Sequence, residues 1–139
     1  MNLLQRFLRR TQPLNLQHGE LGERAAKAHL KKLGLKFLLA NFTCARGEVD
    51  LIFRDDDCLV FVEVKARSSE SWTRPAASVN KDKRRRLSKA ALDYLRLMKK
   101  PPIKFRFDIV EVLLEDGAVR DVRHLPNTFS LSKPYRYGA

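Results

Sequence analysis

The stretch GEVDLIFRDDDCLVFVEVKAR, residues 47–67, decides the fold. Two apolar runs, Gly47 to Phe53 and Cys58 to Ala66, flank Arg54-Asp55-Asp56-Asp57, which is the pattern of a β-hairpin. Side chains alternate between the faces of a strand. Leu59, Phe61, Glu63 and Lys65 therefore share one face, with Val60, Val62 and Val64 on the other. Asp50 and Ile52 share a face of the neighbouring strand. A turn through Asp56-Asp57 alone sets Asp50 directly opposite Glu63, with Cβ atoms roughly 5 Å apart; a four-residue loop over 54–57 makes them diagonal neighbours at about 7–8 Å. Either register keeps both acids on one face. The three consecutive aspartates read as a solvated turn rather than a metal box.

Two close carboxylates repel each other and lose solvation, which drives one toward its protonated form unless a cation stands between them. A hard divalent cation, Mg²⁺ or Mn²⁺, accepts carboxylate oxygens and keeps waters for a substrate. Asp50 and Glu63 are thus the expected metal ligands, and the backbone carbonyl of Val64 offers a neutral third oxygen. Lys65 is placed to orient or deprotonate the attacking water, or to steady charge on a phosphate oxygen. The chemistry that fits is metal-dependent hydrolysis of a phosphodiester. The bland alternative is a half-exposed strand whose Glu63 and Lys65 face water. Leu59 and Phe61 on the same face argue against it.

Toward the N-terminus, KFLLANFTC (residues 36–44) reads as a further strand whose open apolar edge would permit a homodimer. Before it, Gly19 to Leu33 carries Ala26, Leu30 and Leu33 at helical spacing, widened by Leu21 and Ala25, with Gly34 as C-terminal cap. Glu23 extends that stripe. A carboxylate there calls for an arginine partner or a reach through water to the metal site. Glu48 weighs at least as much as a turn residue as a catalytic one. Residues 1–18 read as an arm. Gln5 and Arg6 interrupt its apolar residues and no small-residue cleavage site follows, so neither a signal peptide nor a stable membrane association is expected.

Toward the C-terminus, residues 67–80 read as a loop. Leu87, Ala90, Ala91, Tyr94, Leu95 and Met98 then form one helical face that Pro101-Pro102 stops. IKFRFDIVEVLL alternates as a strand, Glu115-Asp116-Gly117 turns it, and a short strand follows near 118–124. Residues 126–139 read as an irregular tail. The order is helix, three strands, helix, two strands: one α/β domain over 19–125, on a mixed sheet flanked by helices, with the second helix as crossover.

The formal charge of +12 favours a polyanionic partner. Residues 81–100 hold nine Lys or Arg against two Asp and supply +7 of it. Lys81, Lys83, Arg84, Arg85, Arg86 and Lys89, with Arg67, are the expected nucleic-acid contacts. Cys44 and Cys58, with three histidines, show no CxxC or HxxxH spacing. Zinc and disulfides are therefore not expected, and a reducing cytoplasm suits the pair as structural thiols.

An acid, twelve intervening residues, then Glu63-Val64-Lys65 on an apolar strand resembles the PD-(D/E)xK restriction-endonuclease-like superfamily. Within it, the chain is similar to the YraN-like family of small bacterial proteins. The matching blocks are Gly22-Glu23 with Ala26, Asn41, Gly47 to Ile52, Phe61 to Lys65 with Arg67, Ser78-Val79 with Lys83, Ala91 with Tyr94-Leu95, and Phe107-Asp108. The resemblance implies an αβββαβ core, Asp50 and Glu63 as metal ligands, Lys65 as the catalytic lysine, and Glu23 as an accessory acid like one used by archaeal Holliday junction resolvases. It further implies a bacterial cytosolic endonuclease acting on DNA rather than RNA, branched DNA included. Where that family has glycine after an aromatic, this chain has Trp72-Thr73-Arg74-Pro75, in the loop that flanks the site. A protein that keeps the fold and binds nucleic acid without turnover is the competing expectation.

Overall fold

The computed structural model describes residues 14–68, 72 and 79–138, with 14–18 as helical backbone only. Helix α1 (Leu14–Lys32) leads into strands β1 (Lys36–Cys44), β2 (Gly47–Asp55) and β3 (Cys58–Arg67). Helix α2 (Lys81–Leu97) follows, then β4 (Lys104–Glu115) and β5 (Ala118–Phe129). The five strands stand in sequence order in one sheet. Only β3 and β4 are parallel, which is why α2 must cross over between them. This is the α/β arrangement of the restriction-endonuclease-like core, carried one strand further.

The hairpin register is the one that matters. Asp55 pairs with Cys58 and Leu51 with Val62, so the chain turns through Asp56-Asp57 alone. Asp56 takes a positive φ of 51°, which a short acidic side chain tolerates. The turn from β4 to β5 uses Asp116 and Gly117, both at positive φ, as an Asp-Gly hairpin demands.

Each sheet face is covered by one helix. Ile52, Phe61, Phe107 and Ile109 pack against Leu87, Ala91, Tyr94 and Leu95 of α2. Leu51, Phe53, Val60, Val62, Val110 and Val112 pack against Ala26 and Leu30 of α1. Gly34 closes α1 at φ 95°, its amide donating to Lys31 O while Leu35 N–H reaches back to Leu30 O at 3.1 Å.

Three boundaries differ from the expectation. The N-terminal arm is shorter than 1–18, because 14–18 already belong to α1; residues 1–13 lie outside the described residues. Leu33 and Met98 are exposed rather than buried, since α1 ends at Lys32 and α2 at Leu97 and neither residue keeps the helical face. The last strand runs to Phe129, beyond 118–124. It does so because a bulge absorbs Pro126 to Thr128, and Asp108 accepts the Asn127 amide at 2.9 Å. The tail beyond is irregular but packed: the Ser132 amide donates to Ser88 Oγ at 3.0 Å, and Tyr137 meets Phe105 edge-on. No helix among the described residues is long and apolar enough to cross a membrane.

Candidate active site

The β2–β3 ladder ends at Leu51 and Val62, and Asp50 and Glu63 are the next residues of the two strands. There the ladder opens. The Val64 amide donates at 2.8 Å to Asp50 Oδ2, so a side chain of β2 takes the place of a strand carbonyl. In an extended strand a residue's amide and carbonyl point to the same edge. The Val64 carbonyl therefore faces this same opening.

The Asp50 and Glu63 carboxyls are hydrogen-bonded to each other. Glu63 is 6% exposed. Burial and the Asp50 charge push its carboxyl up to about 7, with only partial relief from Lys83. Burial likewise raises Asp50, against the lowering effect of the Val64 amide. Burial and the Asp50 charge also raise Glu23, whose carboxyl is hydrogen-bonded to Asn41. Glu48 adds its charge to the same acids. A cluster of acids held above their ordinary range, first by burial and then by neighbouring charge, is a mark of a functional site.

Helix α1 carries Glu23 beside β3, where Gly22 lies against Val64 and Ala66 with room for a Cβ at 3.6 Å. Gly47 does more for α2. A Cβ built on it would stand 2.5 Å from the Arg86 carbonyl, so only glycine lets the β1–β2 turn touch that helix backbone. Asn80 caps α2, its side chain accepting from Lys83 N at 2.9 Å. The cap points Lys83 inward, and its Nζ sits 3.1 Å from Glu63 Oε1.

Lys65 is half-buried and stands beside Glu111 in the β3–β4 register. Glu111 is 1% exposed and pairs with Arg67 Nε at 2.5 Å. Arg67 is thus turned toward a buried carboxylate, not set out as a surface contact. Opposite Glu111 on β5, Arg123 lies over the Trp72 ring, 3.5 Å from its centroid, and donates to the Trp72 carbonyl. Trp72, in the loop that departs from the family pattern, is therefore fastened to the same end of the sheet.

Of the other basic residues, Lys81, Arg85 and Arg86 are exposed. Arg84 donates to Val79 O and covers Phe129, and Lys89 approaches Tyr135. On the α1 side, Asp108 is fully buried. Burial would raise its carboxyl, but hydrogen bonds from His124, Arg106 and the Asn127 amide outweigh that and hold it low. Cys44 and Cys58 are half-buried free thiols.

Sequence reading places Asp50, Glu63, Val64 and Lys65 together, with Glu23 nearby; the structure brings Asp50, Glu63 and the Val64 amide together near Glu23, and sets Lys65 beside Glu111 on β4. Sequence reading takes Lys83 as a nucleic-acid contact rather than as the partner of Glu63, and it does not single out Glu111. Lys83 stands four residues before buried Leu87, on the helical stripe, a spacing that could have shown it facing inward. Glu111 continues the alternation of Phe107 and Ile109, so an acid at that step of a core strand was its signal.

The donors present suit a hard divalent cation: two carboxylates and a carbonyl around an opening whose excess negative charge has raised the acids. Among the described residues, no three His, Cys, Asp or Glu side chains gather closely enough to hold a metal ion, so Glu23 is no direct ligand.

Residues 22–112 match the family described as uncharacterised protein family UPF0102. The chain belongs to that family. It is 40% identical over 118 residues to the UPF0102 protein of Syntrophus aciditrophicus, covering 85% of this chain and 92% of the relative. It is 41% identical over 114 residues to the Geotalea daltonii UPF0102 protein, covering 82% and 90%. The Desulfosudis oleivorans protein is 42% identical over 108 residues, covering 78% and 88%. The span matched to UPF0102 holds Glu23, Asp50, Glu63, Lys65, Lys83 and Glu111, and stops before Arg123 and the C-terminal tail.

Proposed function

We propose that this UPF0102 protein is a metal-dependent endonuclease that hydrolyses phosphodiester bonds in DNA. One observation carries the reading: Asp50 and Glu63 oppose each other across an opened β2–β3 ladder, with Lys65 two residues further along the same strand face. Asp50, Glu63 and the Val64 carbonyl would hold Mg²⁺ or Mn²⁺, which when bound supplies an activated water and neutralises phosphate charge.

The chain's own residues do the rest. Asp50 is fixed by the Val64 amide, so its orientation is set before any ligand arrives. Glu63, its carboxyl raised to about 7 by burial and the Asp50 charge, is the acid that gains most from a cation between the two. Lys65 offers an ammonium to the charge that develops on a phosphate oxygen. Exposed Lys81, Arg85 and Arg86 on the first turns of α2 would contact the flanking phosphates.

Incubating the purified protein with single-stranded, duplex and branched DNA plus Mn²⁺ tests this. Cleavage lost in Glu63→Gln and Lys65→Ala is the expected outcome. Cleavage that persists in both would remove the assignment.

One observation favours a second reading, a nucleic-acid-binding protein without turnover. Lys83 already supplies Glu63 with a cation. Salt-dependent DNA binding with no cleavage by the wild type, in Mn²⁺ or Mg²⁺, would decide for it.

A further inference from the structure

Beside the acid pair, the turn Thr43–Gly47 and the start of α2 enclose a cavity of about 320 Å³. Lys83 lines it and also pairs with Glu63, so the cavity adjoins the acid pair through that ammonium. Buried Leu87 and half-buried Cys44 give apolar wall, exposed Arg46 and Arg86 are its arginines, and Glu48 is its one carboxylate. Arg46 is not a loose surface chain: Asp93 grips its Nη2 at 2.5 Å. That pair ties the β1–β2 turn to α2 across the cavity.

A phosphate alone would leave most of this space empty. The volume falls in the range of small-molecule sites, roughly 300–1,000 Å³. Apolar wall with guanidinium planes and an ammonium is the combination that receives an unstacked base together with its phosphate. A base inside a continuous duplex is stacked and paired, and cannot enter a pocket walled by a turn and a helix. It must first leave the stack.

We infer that this cavity takes one unpaired nucleotide of the substrate strand, adjacent to the phosphodiester held at Asp50, Glu63 and Lys65. The inference rests on the nuclease reading of that neighbouring site and gives it a substrate class: DNA with an unpaired nucleotide at the point of cutting. A continuous duplex bears its nucleotides in the wrong state for the pocket.

Amide chemical shifts of the full chain in EDTA, titrated with thymidine 5′-monophosphate, provide the test. Inorganic phosphate and thymidine serve as controls. The expected result is saturable shifts at residues 43–48 and 83–87 for the nucleotide, with each control binding about tenfold more weakly. Arg46→Ala with Arg86→Ala should weaken nucleotide binding by a similar factor. Both are exposed side chains whose removal leaves the core intact. No saturable shift at those amides would overturn the inference, and so would inorganic phosphate matching the nucleotide. In Mn²⁺, cutting of a continuous duplex as fast as of one carrying an unpaired nucleotide would overturn it while leaving the nuclease reading in place. Nucleotide shifts without cleavage of any DNA would support the pocket and remove the nuclease reading alone.

Discussion

The Asp50 carboxylate accepts the Val64 amide at 2.8 Å, so a catalytic candidate also closes a gap in the sheet's hydrogen bonding. The two roles separate on substitution. Asp50→Ala leaves that amide without its acceptor and should cost about 1–3 kcal/mol in urea unfolding. Asp50→Asn keeps an acceptor and removes a charge from a repelling cluster, so it should be at least as stable as the wild type at pH 8. Both should lose Mn²⁺ binding by calorimetry. An Asp50→Asn protein as destabilised as Asp50→Ala would show that the charge, not the hydrogen bond, holds the strands.

Metal-free protein should lose stability as the pH rises. Glu63 has its carboxyl raised from 4.5 to about 7 in the folded state, so between those values the folded protein holds a proton that the unfolded chain has released. Stability therefore falls through that window, by roughly 3 kcal/mol, and levels above it. Asp50 and Glu23, also raised, act with the same sign. Asp108 is held low and acts with the opposite sign, its contribution vanishing only as the pH falls below the carboxylate range. Thermal unfolding in EDTA across pH 4.5–8 measures the slope, and Glu63→Gln should flatten its neutral end. An unchanged slope in that variant would contradict the assignment of the raised group.

The two buried glycine contacts make opposite predictions. At Gly47 a Cβ would stand 2.5 Å from the Arg86 carbonyl, so Gly47→Ala must push α2 away and should cost about 1–3 kcal/mol. At Gly22 the nearest atoms are 3.6 Å away, ordinary contact, and the site is helical. Gly22→Ala should therefore be neutral or stabilising by up to about 1 kcal/mol. Denaturant midpoints of the two variants, moving in the same direction by similar amounts, would show the packing to be otherwise.

Helix order and the shared face of Asp50 and Glu63 were legible in the sequence because they depend on local periodicity, whereas the hairpin register stood open between a two-residue and a four-residue turn until the Asp55–Cys58 pairing fixed it. What escaped depends on contacts distant in the chain. Arg67 reads as one more basic residue until β4 brings Glu111 beside β3. Lys83 merges into a cationic run, and only the Asn80 cap and the closeness of Gly47 to α2 turn it onto Glu63. The extended β5 hides behind Pro126, which a bulge accommodates.

The Glu111–Arg67 pair is nearly inaccessible to water, so breaking it by Glu111→Ala should cost about 3–5 kcal/mol, whereas replacing both by apolar residues of similar size should be close to neutral. A double-mutant cycle in urea measures the difference. A double variant whose loss equals the sum of the two single losses would mean that the pair is not coupled.

At the lip of the sheet, the proposal of a metal-dependent site requires one bound ion. Crystals soaked in manganese, with anomalous scattering recorded, test that without choosing a substrate. The account predicts a peak between the Asp50 and Glu63 carboxylates, beside the Val64 carbonyl, with the Lys83 ammonium moved off Glu63. An opening without manganese, and Lys83 still seated on Glu63, would contradict it.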